Sequence, residues 1–343
     1  MNHFRTFLFA AAVALPLALV VTPARGGYHV TGKIEVGGEG GWDYLEPDVE
    51  ARRLHVAHEN HVVVIDMDTL KVVGDVPDCP GMGGVAIAHE FNRGYTANGS
   101  DDTVTVFALD TLKAVARWKA TGKRPNQILY EPATKRLFTF NSTGRNVTAF
   151  DAKTGDVLGT INVDGRTEFP AFDGKGMIYD SLQDKGTVVA IDARKLQVTA
   201  TYPLAPHTQP AGTVMDPETR RIFVACRSQS FLVLDADTGR ILATFPIGER
   251  NDAAKFDPGL KLAFASNGDG TLTVLHEDGP DKFTLVETVK TEFGARTMAV
   301  DPKTHRLFLP SADFAPARTS AAKNPNSRRP MLPGSFRILV LEP

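Results

Sequence analysis

Short runs of β-branched and apolar residues recur along the chain, starting at Val62 (VVVI), Val104 (VTVF), Val147 (VTAF), Val188 (VVAI), Phe231 (FLVL), Leu272 (LTVL) and Ile338 (ILVL). Their starts lie 42, 43, 41, 43, 41 and 66 residues apart, so five of the six gaps agree within two residues. A four-residue apolar run bounded by turn signals is the pattern of a strand buried on both faces. No long stretch carries a convincing helical period. An acidic residue, often followed by proline, precedes the runs at the same spacing: Asp48, Glu131, Asp173, Asp216, Asp257 and Asp301, with Ala88 in the second copy. Turns such as Asp68-Thr69-Leu70, Asp110-Thr111-Leu112, Lys153-Thr154-Gly155 and Asp237-Thr238-Gly239 follow them. Asp suits a turn by bonding nearby backbone, and Gly by tolerating positive φ.

Each unit therefore predicts four short strands, the second typified by Arg136-Leu137-Phe138, Arg221-Ile222-Phe223 and Arg306-Leu307-Phe308. Seven all-β units of about 40 residues predict a seven-bladed β-propeller. The seventh copy stops after its third strand, at Leu341-Glu342-Pro343. The strand-like segment Tyr28 to Val36 is expected to supply its missing outer strand, which pairs edges otherwise left exposed.

The copies Tyr130-Glu131-Pro132-Ala133-Thr134-Lys135-Arg136-Leu137-Phe138 and Val300-Asp301-Pro302-Lys303-Thr304-His305-Arg306-Leu307-Phe308 resemble the YVTN-repeat, YncE-like family of exported bacterial propellers. The resemblance implies export and this fold. It leaves the activity open, with one branch of that family linked to single-stranded DNA. Export is also the reading of the N-terminus, where Arg5, the apolar run Phe7 to Val21 and Thr22-Pro23-Ala24 predict a signal peptide over 1–24. A single domain over 25–343, periplasmic or secreted, is then expected. The formal net charge of −2 speaks against nucleic acid as a partner. A closed ring without free edges predicts a monomer. Cys79 and Cys226 fall on nearly opposite blades, which predicts two free thiols.

The innermost strands of a propeller line its channel. Five residues before each acidic marker stand Asp43, Gly83, Asn126, Glu168, Ala211, Asp252 and Arg296. Three carboxylates, an amide and a guanidinium would then ring the upper mouth, with Gly83 and Ala211 leaving space. Asp43, Glu168 and Asp252 offer oxygens to a hard divalent ion, with Asn126 as neutral partner. Alternatively, Arg296 grips a carboxylate while one acid acts as base. The plainer expectation is a wet polar lining. Trp42 and Phe169 adjoin the ring as stacking candidates or as filler between blades, and His207 is a candidate proton shuttle. Arg124, Gln209, Arg227, Arg250 and Asn251 are expected on the same face. Cys79, Met82 and His207 lack any ligand spacing, and the sequence names no metal and no cofactor.

The last gap exceeds the period by about 24 residues. The excess is a Pro-rich insertion over 312–334 in blade seven, with Arg318, Lys323, Arg328 and Arg329, which reads as a lid, a docking arm or a surface excursion. No haem-attachment, HExxH, GxSxG or phosphate-loop motif occurs. The leading expectation is a binding protein for a small ligand or protein partner at the upper mouth. A hydrolase or lyase of lactone or sugar-acid type is the alternative, and single-stranded nucleic-acid binding the second.

Overall fold

A computed structural model describes residues 27–316 and 329–343. The acidic markers explain the period. Each ends the first strand of a blade, or in blade four directly follows it, and accepts backbone N–H groups of the turn: Asp48 from Ala51, Glu131 from Ala133 and Thr134, and Asp257 from Gly259 and Leu260. The strand-ending Asp66, Asp151, Asp192 and Asp235 do the same for the next turn but one, bonding the amides at Thr69, Thr154, Lys195 and Thr238. The closing position of that turn is left-handed, and the sequence fills it with Leu70, Leu112, Gly155, Leu196 or Gly239. A capped turn at both ends of a buried hairpin is thus repeated blade by blade.

The described residues form seven four-stranded antiparallel sheets, in which neighbouring strands are consecutive except at the closure. There the N-terminal strand His29–Glu35 pairs with Arg337–Glu342, with Ile34 opposite Ile338 and Glu35 opposite Arg337. The seventh sheet is therefore built from both ends of the described chain, as the truncated last copy predicts. Middle strands such as His61–Asp66 are buried along their length, whereas outer strands such as Gln197–Pro203 alternate exposed and covered positions. Buried apolar residues form seven clusters, one at each interface between neighbouring blades. Phe308 and Ile338 meet Leu54 and Val56 where blade seven closes on blade one. Cys79 and Cys226 are buried free thiols in different clusters.

The insertion leaves blade seven after Ser311 and returns before Arg337. Its two flanks run antiparallel: Ala315 N–H donates to Pro330 O at 2.9 Å and Leu332 N–H to Asp313 O at 2.8 Å. Residues 1–24 and the insertion residues Arg318, Lys323 and Arg328 lie outside the described residues. Among the described residues, no helix is long and apolar enough to cross a membrane.

Candidate functional site

The first strand of each blade carries the ring. In blades one to six its pairing with the second strand slips at the ring position, between Trp42 and Leu45, Met82 and Val85, Pro125 and Gln127, Thr167 and Pro170, Pro210 and Gly212, and Asn251 and Ala253. Asp43, Gly83, Asn126, Glu168, Ala211 and Asp252 all fall inside these bulges. A bulge leaves its extra residue unpaired and re-aims the side chain. Arg296 has no bulge, because the first strand of blade seven begins only at Ala299.

Asp252 is the hub. One carboxylate oxygen accepts from Arg227 Nη2, and the other accepts from Arg296 Nε at 3.0 Å. Arg296 Nη2 also donates to Trp42 O at 3.0 Å, and its guanidinium lies 5.3 Å from the Trp42 ring. Both Asp252 oxygens are thus engaged by guanidiniums, which makes it an ion-pair partner in this structure rather than an open oxygen ligand. Among the described residues, no three His, Cys, Asp or Glu side chains are grouped to hold a metal ion. Gly83 also departs from expectation, since it opens no space. A Cβ there would sit 1.9 Å from Asn126 O, so its missing side chain lets two inner strands approach.

Glu168 is buried near this hub, with Arg166 Nε 3.4 Å away. Burial, and then the Asp252 charge, push its pKa up to about 7, although Arg227, Arg166 and Arg124 pull it down. Beneath it lies Asp180, on the second strand of the same blade and fully buried. Its carboxyl oxygens meet no donor in good hydrogen-bond geometry among the described residues. Burial and the Glu168 charge hold its pKa far above the carboxylate range. Asp180 carried no signal in the repeat, because it occupies a middle-strand position that is normally apolar.

The other expected residues divide among three cavities and one loop. Trp42, Asp252 and Arg296 line an upper cavity of about 460 Å³, together with Arg227, Arg250, Phe293, Phe314, Arg329 and Met331. Asp43 and Asn126 line a neighbouring cavity of about 410 Å³ with Arg124, Glu59 and Ser100, and the two share Gly41 and Trp42. Phe169 belongs lower in the channel, packed on Tyr44 with ring centroids 4.6 Å apart. His207 is half-exposed on the loop before blade five and lines none of these cavities. Trp42 is buried, stacked on Phe336 at 5.3 Å, and serves as cavity wall and interblade filler together.

The upper cavity is strongly basic. Four guanidiniums, those of Arg227, Arg250, Arg296 and Arg329, face it with Asp252 as the one lining carboxylate among the described residues. Among the described residues Arg250 and Arg329 form no ion pair within 4 Å, and they sit over the Phe293 ring, at 5.4 and 4.8 Å. Phe314 meets that ring edge-on at 5.4 Å, so the flanks of the insertion wall the cavity. Gly294, at φ +88°, makes the contact feasible, because a Cβ would meet Phe314 at 2.7 Å. Arg227 and Arg250 were placed on this face by the repeat. Phe293 comes from an irregular segment without a period and gave no signal, whereas Phe314 and Met331 belong to the insertion over 312–334 that the longer last gap marks.

Comparison with solved structures finds the same fold at low identity. A Kuenenia stuttgartiensis hydrazine synthase chain is similar at 16% identity with a TM-score of 0.70, over 82% of this chain and 95% of that one. A chain of a mitotic checkpoint complex crystal structure is similar at 12% identity and TM-score 0.71, over 100% and 99%. No protein-family model matches the sequence, and no curated protein matches it.

Proposed function

We propose that this chain is an exported binding protein of the YVTN-repeat, YncE-like type that takes a small organic anion in the upper cavity of its channel. The observation that carries the reading is the pair Arg250 and Arg329, two guanidiniums over one aromatic ring with no carboxylate partner among the described residues. Guanidinium presents forked donors that match carboxylate and phosphate oxygens, and charge-assisted bonds of this kind are the strong ones. Phe293, Phe314 and Trp42 offer apolar faces to a planar or apolar ligand body. A volume near 460 Å³ suits one small molecule. Export rests on the features of residues 1–24 and on the family resemblance.

A second reading, hydrolysis or elimination on a lactone or sugar acid, is favoured by Glu168. A carboxyl with a pKa of about 7 near a guanidinium-lined cavity has the proton affinity a general base needs.

One experiment addresses both. The full-length chain is screened by thermal shift and calorimetry against aromatic carboxylates, dicarboxylates, sugar acids, their lactones and a short oligonucleotide, with acid release followed for the lactones. Small anions should raise the melting temperature by mass action. The double variant Arg250→Met/Arg329→Met should bind them about 100-fold more weakly, two charge-assisted bonds being lost. Equal binding of neutral analogues would sink the anion reading. Lactone turnover abolished by Glu168→Gln, with acid binding kept, would move the assignment to the enzyme.

A further inference from the structure

Below the Tyr44–Phe169 pair the channel widens into a second chamber of about 530 Å³ that the upper site does not use. The first strands of blades one to six contribute to its wall, and its lower rim includes the exposed Glu90, Pro132 and Phe172. The register position three residues below the ring is occupied by Glu46, Ala86, Leu129, Ala171, Val214, Lys255 and Ala299. Five of the seven are apolar. The two exceptions are one acid and one base, in blades one and six, with only blade seven between them.

Neither charge is ion-paired among the described residues. Lys255 Nζ lies 4.2 Å from the centre of the Phe169 ring, and no ion pair within 4 Å joins it to Glu46. The two nevertheless feel each other: burial lowers the Lys255 pKa while Glu46 raises it, and burial raises that of Glu46 while Lys255 lowers it. The other ionisable groups of this wall are committed. His89 bonds Asp48 at 2.7 Å, and Glu90 is held by Tyr130 and Lys135. Gln127, only 2% exposed, also lines the chamber, and its Nε2 meets no acceptor among the described residues. An ammonium, a carboxylate and an amide donor therefore remain available in a partly apolar chamber.

We propose that this lower chamber is a second binding site, for a small zwitterion of the α-amino-acid type. Its carboxylate faces Lys255, its ammonium faces Glu46, and an apolar side chain rests against Leu129 and Val214. Two opposite charges held apart in a poorly hydrated space are each incompletely compensated. A ligand carrying both signs compensates both at once. A simple anion would leave Glu46 facing a like charge, and a simple cation would do the same to Lys255. The charge pattern thus selects for the zwitterion and against its one-ended analogues. The inference is independent of the anion site above.

The test uses the full-length chain and three matched probes: L-leucine, 4-methylpentanoate, which lacks the amine, and isopentylamine, which lacks the carboxylate. Leucine should bind by calorimetry, with each one-ended probe about 10-fold weaker or worse, the loss of one charge-assisted bond. Glu46→Gln should move the preference toward 4-methylpentanoate, and Lys255→Met toward isopentylamine. Arg250→Met, at the upper cavity, should leave leucine binding unchanged. If a charge variant fails to fold, the probe series on the unaltered chain still decides. Absence of leucine binding, or 4-methylpentanoate binding as tightly as leucine, overturns the proposal.

Discussion

Glu168 concentrates the cost of building a charged ring inside a channel. Its pKa of about 7 stands above the ordinary 4.5, and burial is the larger cause. A carboxyl whose folded pKa is raised keeps its proton in the native state after the unfolded chain has released it. Stability is then highest below about pH 4.5 and falls as pH rises toward about 7. Asp180 adds to the same trend, since burial also raises its pKa. His55 and His58, lowered to about 4 chiefly by burial, act in the opposite sense below neutrality. The readout must therefore be a difference between two proteins. Glu168→Gln replaces the carboxyl by a neutral isostere, so the variant should gain on the unaltered chain by on the order of 3 kcal/mol between about pH 5 and pH 8. Urea unfolding at the two pH values measures this. Parallel behaviour of the two proteins would mean that Glu168 is ionised at no cost in the fold.

At the scale of elements, the acidic turn marker has a second role beyond capping its turn. The marker of one blade often pairs with a basic side chain from the corresponding turn of the next: Asp48 with His89 at 2.7 Å, Asp173 with Arg220 at 3.5 Å, Asp216 with Lys261 at 3.2 Å, Asp257 with His305 at 2.7 Å, and Asp301 with Arg52 at 2.6 Å. The last pair joins blade seven to blade one. Asp301 is fully buried, and burial alone would raise its pKa, but the Arg52 and Thr304 bonds outweigh it and hold it low. Arg52→Met strands a buried carboxylate and should cost about 3 kcal/mol. Lys135→Met breaks the exposed pair with Glu90 and should cost less than about 1 kcal/mol. Comparable losses in denaturant unfolding would show that burial of Asp301 is not what matters. The capping half of this device was legible in the sequence, because an acid and the turn it closes are adjacent in the chain. The pairing half was not, since Asp301 and Arg52 lie at opposite ends of the described sequence. The same distinction explains the site. Asp43, Asn126, Glu168 and Asp252 could be found by counting, because each bulge recurs at a fixed distance from its capped turn. Phe293 could not, because its segment follows no period, whereas Phe314 and Arg329 lie in the insertion that the broken period marks, without their individual roles being legible.

The whole molecule is a ring whose seven interblade cores are alike in kind, so its weakest point is where the chain does not run continuously from strand to strand. That point is blade seven. The segment from Tyr28 to Glu35 holds it in three ways. It completes the sheet beside Arg337–Glu342, it buries Ile34 against the interface with blade one, and it buries Tyr28 against the interface with blade six. Tyr28 also donates its hydroxyl to His305 O and its backbone N–H to Glu287 Oε1, each at 2.8 Å. Deleting residues 1–36 removes all of these and leaves Arg337–Glu342 as an unpaired edge. Burial of Ile34 and Tyr28 alone contributes about 4 kcal/mol, and a domain of this size loses roughly 2–4 °C of melting temperature per kcal/mol. The truncated chain should therefore melt about 10 °C lower or more. It should also associate through the open edge, since an exposed strand is a template for pairing. Supplying a peptide spanning residues 27–36 should restore both the melting temperature and the monodisperse state, because the edge then regains its partner. A truncated chain that melts like the parent and stays monodisperse would show that the other blade contacts close the ring without this strand.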